Sequence, residues 1–202
     1  MEYTTYQLLW FFLVYAFLGW LGETALAAAR KGRLINRGFL SAPFSPVYGL
    51  ASVLFALFLP ELREDPIFLF LLGMILATAL ELATGVFLER IFRQKWWDYS
   101  DTPHNLHGYI CLKFSVVWGL AGALIVRYVM PLAHRLFGQI PRQVGWVLLV
   151  VLGSLFVADF LVTAIGLIGL NRRLKNLEYV TSKLRQGSNK LGEDLFQAAV
   201  VL

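Results

Sequence analysis

The chain has 202 residues, of which 58% are hydrophobic and only 15% are charged. A soluble domain is closer to half apolar and a quarter charged, so this composition excludes an ordinary soluble enzyme. The formal net charge of +5 would favour nucleic-acid binding in a soluble chain. A single cysteine excludes an internal disulfide, and three histidines disfavour a histidine-only metal site.

Five apolar stretches reach or approach the roughly 20 residues that cross a bilayer. They are continuous rather than alternating, so each predicts a helix and not a barrel strand. The predicted fold class is all-α, a polytopic membrane bundle over residues 1–170 followed by a cytoplasmic, basic, amphipathic helical tail over 171–202. The five spans are 7–29, 43–60, 66–89, 108–131 and 144–170, and the second is short enough to leave its full crossing open.

The basic residues flank these stretches. Thirteen Lys and Arg residues lie in the loops after the first, third and fifth stretches, against four on the other side. Because positively charged loops stay in the cytoplasm, the N-terminus is expected outside and the C-terminus inside. The basic excess is therefore a topology signal, and nucleic acid is not an expected partner.

Four charged residues lie well inside the predicted spans, away from their ends and in the cytoplasmic half: Glu23, Glu81, Lys113 and Asp159. A charged side chain that faces lipid costs at least about 2.5–3.5 kcal/mol, so each is expected to face the bundle interior or a water-filled cavity. Three acids and one base at similar depth predict one shared binding site. The alternative is a set of buried ion pairs that only fix the packing of the helices.

On three spans an acid shares a helix face with small residues. Spacings of three and four residues place side chains on one face, and small residues let another helix approach closely. Three acid-bearing faces are therefore expected to turn toward the interior. They are Gly19, Glu23 and Ala27 on the first span, Glu81, Gly85 and Glu89 on the third, and Asp159, Thr163 and Gly166 on the fifth.

Two loop segments add polar groups at the same membrane face. The first loop lies between spans one and two, and in it Pro43 and Pro46 prevent a regular helix start. This leaves open a re-entrant segment or a proline in the first turn of the second span. The second loop carries a tryptophan pair typical of the headgroup level, so an interfacial segment is expected between spans three and four. Its candidate substrate contacts are Trp96, Trp97, Asp98, Tyr99 and Asn105.

No repeat between whole spans is evident, and five spans do not divide into two halves. A symmetric pathway would need two copies of the chain, so a homodimer is expected. In the tail, leucines recur every seven residues at Leu170, Leu177, Leu184 and Leu191. A short dimer seam and an amphipathic helix on the lipid headgroups both remain open.

Three strings and the acid-bearing first helix carry a family resemblance: NRGFLSAPFSPVYG (36–49), ELATGVFLERIF (81–92) and KWWDYSDTPHNLHGYICLKFSVVWG (95–119). They resemble the bacterial putative ABC-transporter type IV membrane proteins, from about residue 7 to the end of span five. The resemblance implies a multi-pass permease of the bacterial cytoplasmic (inner) membrane. By that resemblance, the most characteristic motifs contain Glu23, Glu81, Trp96, Trp97, Asp98, Tyr99, Asn105 and Gly108.

The motifs narrow the functional hypotheses. No Gly-x-x-x-x-Gly-Lys-[Ser/Thr] motif occurs, so ATP hydrolysis would need a separate ATPase subunit. Hydrolase signatures are absent, and neither a catalytic residue nor a cofactor is assigned. The leading hypothesis is a permease-like protein whose acidic cavity binds a cation or a small polar or cationic solute. The alternatives are an intramembrane enzyme acting on a lipid headgroup, with one acid as general acid or base, and a non-catalytic membrane subunit that docks a partner.

Overall fold

The structure, a computed structural model, describes the backbone of residues 3–32, 36 and 38–200. It confirms an all-α helical bundle with one two-stranded hairpin. The helices are α1 (Thr5–Lys31), α2 (Pro46–Phe58), α3 (Pro66–Phe92), α4 (Leu112–Leu124), α5 (Met130–Gly138) and α6 (Arg142–Val200), and the strands are β1 (Asn105–Leu106) and β2 (Ile110–Cys111).

Four helical segments of the described chain are long and apolar enough to cross a membrane. They are α1, α3, the continuous helix Leu112–Gly138, and the part of α6 from Arg142 to Lys183. The 13 residues of α2 extend about 20 Å at 1.5 Å per residue, which is less than the bilayer core of about 30 Å. The five predicted spans are thus four long apolar helices and one short one.

The short helix α2 begins beside the middle of α1. The backbone N–H of Ser45 donates to the carbonyl of Ala16, about three turns from the start of α1, at 2.9 Å. Pro46 occupies the first turn of α2, which confirms the second of the two alternatives for this loop. The loop before α2 therefore folds back along α1, because Ala16 lies about four turns before the end of that helix.

The segment between α3 and α4 is a compact loop without a helix. Asn105 pairs with Cys111, and Leu106 pairs with Ile110, across a tight antiparallel hairpin. Gly108 has a φ of 76° inside this hairpin. The predicted fourth span, 108–131, consequently begins as a helix only at Leu112.

A π-helical turn, Ile125–Val129, joins α4 to α5. Arg127 of this turn donates to the carbonyl of Arg63 at 2.9 Å, and Arg63 donates back to the carbonyl of Arg127 at 3.2 Å. These bonds tie the turn to the short connection between α2 and α3. The largest buried apolar side chains of the packed core include Phe11, Leu69 and Met130.

The chain divides into two compact units, Met1–Thr163 and Ala164–Leu202. In the second unit the backbone is helical to Val200, with no interruption at the glycine and serine near 187–188. The side chains of Leu184 and Leu191 lie outside the described residues, and so do Arg33 and Arg37 of the first cytoplasmic loop. The dimer seam, the membrane-surface helix and the boundary at residue 170 stay predictions.

Candidate functional site

Glu81 is the centre of the polar contacts inside the helices. Of the charged side chains that the structure describes, it alone is buried, with 9% exposure. Its Oε1 accepts a hydrogen bond from the Tyr99 hydroxyl at 2.9 Å and one from the Trp118 indole N–H at 3.3 Å. Its Oε2 is also buried and has no hydrogen-bond partner. The carboxyl group is therefore held through one oxygen while the other is left unpaired.

Glu23 on α1 is half-buried, and its Oε1 accepts a hydrogen bond from the Tyr48 hydroxyl at 2.7 Å. Gly19, one turn earlier, makes room for this tyrosine: a Cβ at position 19 would lie 2.6 Å from the Cβ of Tyr48. The expectation that a small residue beside Glu23 lets another helix approach is thus confirmed for Gly19. By contrast, a Cβ at Gly22 would meet no atom within 4 Å.

Aromatic rings connect the two acids. The rings of Tyr48 and Trp118 meet edge to face, with centroids 5.9 Å apart. Tyr48 donates to Glu23 and Trp118 donates to Glu81, so the two rings in contact each hold one of the carboxyl groups. The structure therefore brings two of the three predicted acids into one cluster.

The loop before α4 covers the acid-bearing face of α3. A Cβ at Gly85 would lie 3.0 Å from the Tyr109 ring and 3.3 Å from the Trp97 ring. The Tyr109 hydroxyl donates to Glu89 at 2.5 Å, and the Trp97 indole N–H donates to the Tyr109 carbonyl at 2.8 Å. Together with Tyr99 on Glu81, these contacts run along the last three turns of α3. The small-residue face of α3 thus packs against this loop.

Tyr99 remains a hydrogen-bond donor to Glu81. Burial, and then the negative charge of Glu81, raise the pKa of the Tyr99 hydroxyl well above its ordinary value. The ring stacks on Phe114 with centroids 4.8 Å apart. This stacking fixes the direction of the hydroxyl, so Tyr99 positions the Glu81 carboxyl.

Asp98 and Asn105 stabilise the loop itself. The Asp98 carboxylate accepts from the backbone N–H and the hydroxyl of Ser100, and these hydrogen bonds lower the pKa of Asp98 below its ordinary value. The Asn105 side chain donates to the carbonyls of Ser100 and Thr102 and accepts from the N–H of Gly108. Their observed partners are all within the loop, and substrate contacts by either residue remain predictions.

Trp96 lies in an aromatic cluster that joins the two loops. The centroid of its ring lies 5.3 Å from that of Phe39 and 5.7 Å from that of Phe92. The ring centroids of Phe39 and Phe160 of α6 are 5.7 Å apart. The cluster packs the first loop against the second loop and α6.

Asp159 and Lys113 lie in different surroundings from the Glu23–Glu81 cluster. Asp159 is half-buried and accepts a hydrogen bond from the backbone N–H of Ala42 at 2.9 Å, which satisfies a non-helical part of the first loop. Lys113 is exposed, and its ammonium lies 5.9 Å from the Phe114 ring. Neither residue has an observed contact with Glu23 or Glu81, and their membership of one site with these acids stays a prediction.

Tyr48 and Trp118 are the residues of the site that sequence reasoning missed. Each is followed by Gly-Leu-Ala, and this shared pattern is the signal that could have identified them. Within the described residues no group of three or more His, Cys, Asp or Glu side chains is arranged to hold a metal ion. The cluster offers carboxyl oxygens with aromatic hydrogen-bond donors.

These apolar helices, with a buried carboxyl between them, define a multi-pass membrane protein. Large apolar side chains also remain exposed along α1, α3 and α6, as lipid-facing helices require. The family model described as putative ABC-transporter type IV matches residues 10–164, which is more than half of the chain. The chain belongs to that family and is a membrane transport-related protein. Comparisons with curated proteins and with solved structures give no match.

Proposed function

We propose that this protein is a permease-like transporter that binds a cation at Glu81. The observation that carries the proposal is the buried, unpaired Oε2 of a carboxyl group in the middle of an apolar helix. An isolated carboxylate oxygen in such surroundings carries a large desolvation cost, which a proton or another cation bound there offsets. The chemistry favours a cation over an anion because carboxylate oxygens only accept hydrogen bonds.

Glu23 is the second acid of the proposed site. It lies about two turns before the end of α1, and Glu81 lies about three turns before the end of α3, in the predicted cytoplasmic half of both helices. The half-buried position of Glu23 supports a route by which a cation or a small cationic solute reaches the buried acid. Asp159 is assigned to the support of the first loop, because its observed partner is the Ala42 backbone.

Ligand-induced thermal stabilisation tests the proposal. A ligand that binds the folded state raises apparent stability by about 2.7 kcal/mol at 100 times its dissociation constant. The purified protein should therefore unfold at higher temperature with one of the common cations, scanned at two pH values, than with N-methylglucamine at equal ionic strength. Glu81→Gln should fold and lose this response, whereas the exposed Glu64→Gln should keep it. A parent protein without any cation or pH response would refute the proposal.

A second proposal concerns partners. Membership in an ABC-transporter family, with no P-loop in this chain, favours association with a separate ATPase subunit in the cytoplasmic membrane. The basic tail is the proposed docking segment, and a homodimer and a lipid-facing tail are the other roles predicted for it. ATPase activity that copurifies with the full chain, and is lost on truncation after residue 171, would support docking. Activity that survives truncation would contradict it.

A further inference from the structure

The sequence contains an internal repeat of 17 residues. Residues 38–54 and 108–124 share the pattern Gly, aromatic, aliphatic, three variable residues, Phe-Ser-x-Val, aromatic, Gly-Leu-Ala-x-x-Leu. Eight of the 17 positions are identical without a gap, from Gly38 and Gly108 to Leu54 and Leu124. The repeat covers a loop and the following short helix rather than a whole span, and for this reason the pattern of apolar stretches does not reveal it.

Both copies of the repeat begin with a similar loop contact. The N–H of Gly38 donates to Oδ1 of Asn36 at 2.9 Å, and the N–H of Gly108 donates to Oδ1 of Asn105 at 3.0 Å. In both copies the asparagine amide also donates to backbone carbonyls of its own loop. An asparagine thus organises each loop, two residues before its glycine in the first copy and three residues before it in the second.

The two short helices also pack on their long helices in the same way. A Cβ at Gly49 would lie 2.7 Å from the carbonyl oxygen of Phe12 on α1 and 2.9 Å from its ring. A Cβ at Gly119 would lie 2.7 Å from the Cβ of Met74 and 2.9 Å from the ring of Phe70, both on α3. Gly49 and Gly119 are equivalent positions of the repeat. Each glycine therefore allows its short helix to approach a phenylalanine on the preceding long helix.

The acids fall into the same correspondence. Glu23 lies 11 residues after Phe12, and Glu81 lies 11 residues after Phe70. In each copy, the aromatic residue before the equivalent glycine donates a hydrogen bond to this acid. Tyr48 donates to Glu23 in the first copy, and Trp118 donates to Glu81 in the second. The duplicated unit therefore extends over the long helix as well as the loop and the short helix.

The two copies meet at these donors. The Tyr48 and Trp118 rings contact each other, so equivalent residues face one another, as expected where two related units pack about a shared axis. Both long helices run in the same predicted direction, from outside to inside. The repeats are consequently parallel, and Glu23 and Glu81 lie on either side of the contact between the copies.

We propose that the chain consists of two copies of one unit, α1 with α2 and α3 with α4, and that Glu23 and Glu81 are two halves of one site for a single monovalent cation, the proton included. This inference rests on the proposed function. Two carboxyl groups near each other in surroundings of low dielectric repel when both are charged, which favours one net charge on the pair. Since the pair then shares one proton, one monovalent cation or one further proton neutralises the site.

The copies differ in the hydrogen bonds made to the acid. In the second copy Tyr99 adds a hydrogen bond to Glu81, whereas the hydrogen bond described for the Glu23 carboxyl comes from Tyr48. The second loop is longer than the first and supplies this extra hydroxyl. Glu81 is therefore the more enclosed half of the site and Glu23 the more accessible half.

The test compares the melting temperatures of carboxamide variants with Na⁺ or K⁺ added. Measurements at two pH values test H⁺ in the same way. In a shared site Glu23→Gln and Glu81→Gln should each abolish the cation-induced rise in melting temperature, and the double variant should lose no more than either. The matched control is Glu89→Gln, since Glu89 is also on α3 and also accepts from a tyrosine, but it aligns with Lys31 of the first copy. This control should respond as the parent does.

The outcomes separate the two proposals. If Glu81→Gln abolishes the response while Glu23→Gln keeps all of it, the shared site and the role of Glu23 are wrong, and the proposed binding of a cation at Glu81 stands. If no cation or pH change affects the parent, both are wrong. Should Glu23→Gln fail to fold, Tyr48→Phe replaces it, because this change removes only the donor to Glu23. It should shift the cation concentration for half-maximal stabilisation by about tenfold or more, and an unchanged concentration would overturn the shared site.

Discussion

Replacing Gly19 with alanine tests whether α1 and α2 pack as closely as the hydrogen bond between Tyr48 and Glu23 requires. The new Cβ would lie 2.6 Å from the Cβ of Tyr48, at the base of the side chain, where rotation cannot remove the overlap. The helices must therefore separate or Tyr48 must leave Glu23. Overpacking of this kind costs about 1–3 kcal/mol. Glycine to alanine in a helix by itself stabilises by about 0.5–1 kcal/mol.

The matched control is Gly22→Ala, one turn further along α1, where a Cβ would meet no atom within 4 Å. Both variants gain the same helix propensity, so the difference between them isolates the packing cost of about 1–3 kcal/mol. For a chain of this size that difference is roughly 2–12 °C in melting temperature. Thermal unfolding of both variants in one detergent measures it. If Gly19→Ala melts at or above Gly22→Ala, the close approach of α2 to α1 is wrong.

Three further predictions concern the loops and the topology. Asp159→Ala should lower the free energy of unfolding by about 1–3 kcal/mol, because it leaves the Ala42 N–H without its acceptor. Asp159→Asn keeps an acceptor oxygen and should lose much less. Equal losses in thermal unfolding would contradict a loop-supporting role. Because the pKa of Asp98 is lowered in the folded protein, its carboxylate stabilises the fold at pH values above its ordinary pKa of 3.8. This stabilisation is lost as the pH falls through the lower folded-state pKa. Asp98→Asn should therefore flatten the acid limb of the parent's stability–pH profile. The predicted topology requires that Glu64→Cys, in a Cys111→Ser background, reacts with an impermeant thiol reagent added outside, and labelling only after lysis would reverse the orientation.

The helices and the inward-facing positions of Glu23 and Glu81 were within reach of sequence reasoning, although the sequence predicted one site that also included Lys113 and Asp159. Apolar length located α1, α3 and most of α6, and helical phase turned Glu23 and Glu81 toward the interior. Small residues one turn from each acid marked the packing faces, as Gly19 under Tyr48 and Gly85 under Trp97 show. These predictions succeed because they depend on periodicity and on the cost of charge in lipid, which are local properties of the chain.

The partners of the acids were not predictable in the same way. The hydrogen bond from Tyr99 to Glu81 depends on a loop that folds back along α3, and the one from Ala42 to Asp159 joins residues far apart in sequence. Apolar length also overestimated α2, because the loop before it is apolar but non-helical. The alignment of Tyr48 with Trp118 was readable, but only by comparing loops with their short helices rather than span with span.

Cation or proton binding at Glu81 is tested most directly by an infrared difference spectrum of the purified protein, recorded between the cation-bound and cation-free states or between two pH values. The central claim is that Glu81 carries the bound cation or proton. We expect a carboxyl band that changes with ligand in the parent, is retained in Glu89→Gln and disappears in Glu81→Gln. A ligand-dependent carboxyl band that persists unchanged in Glu81→Gln would contradict it.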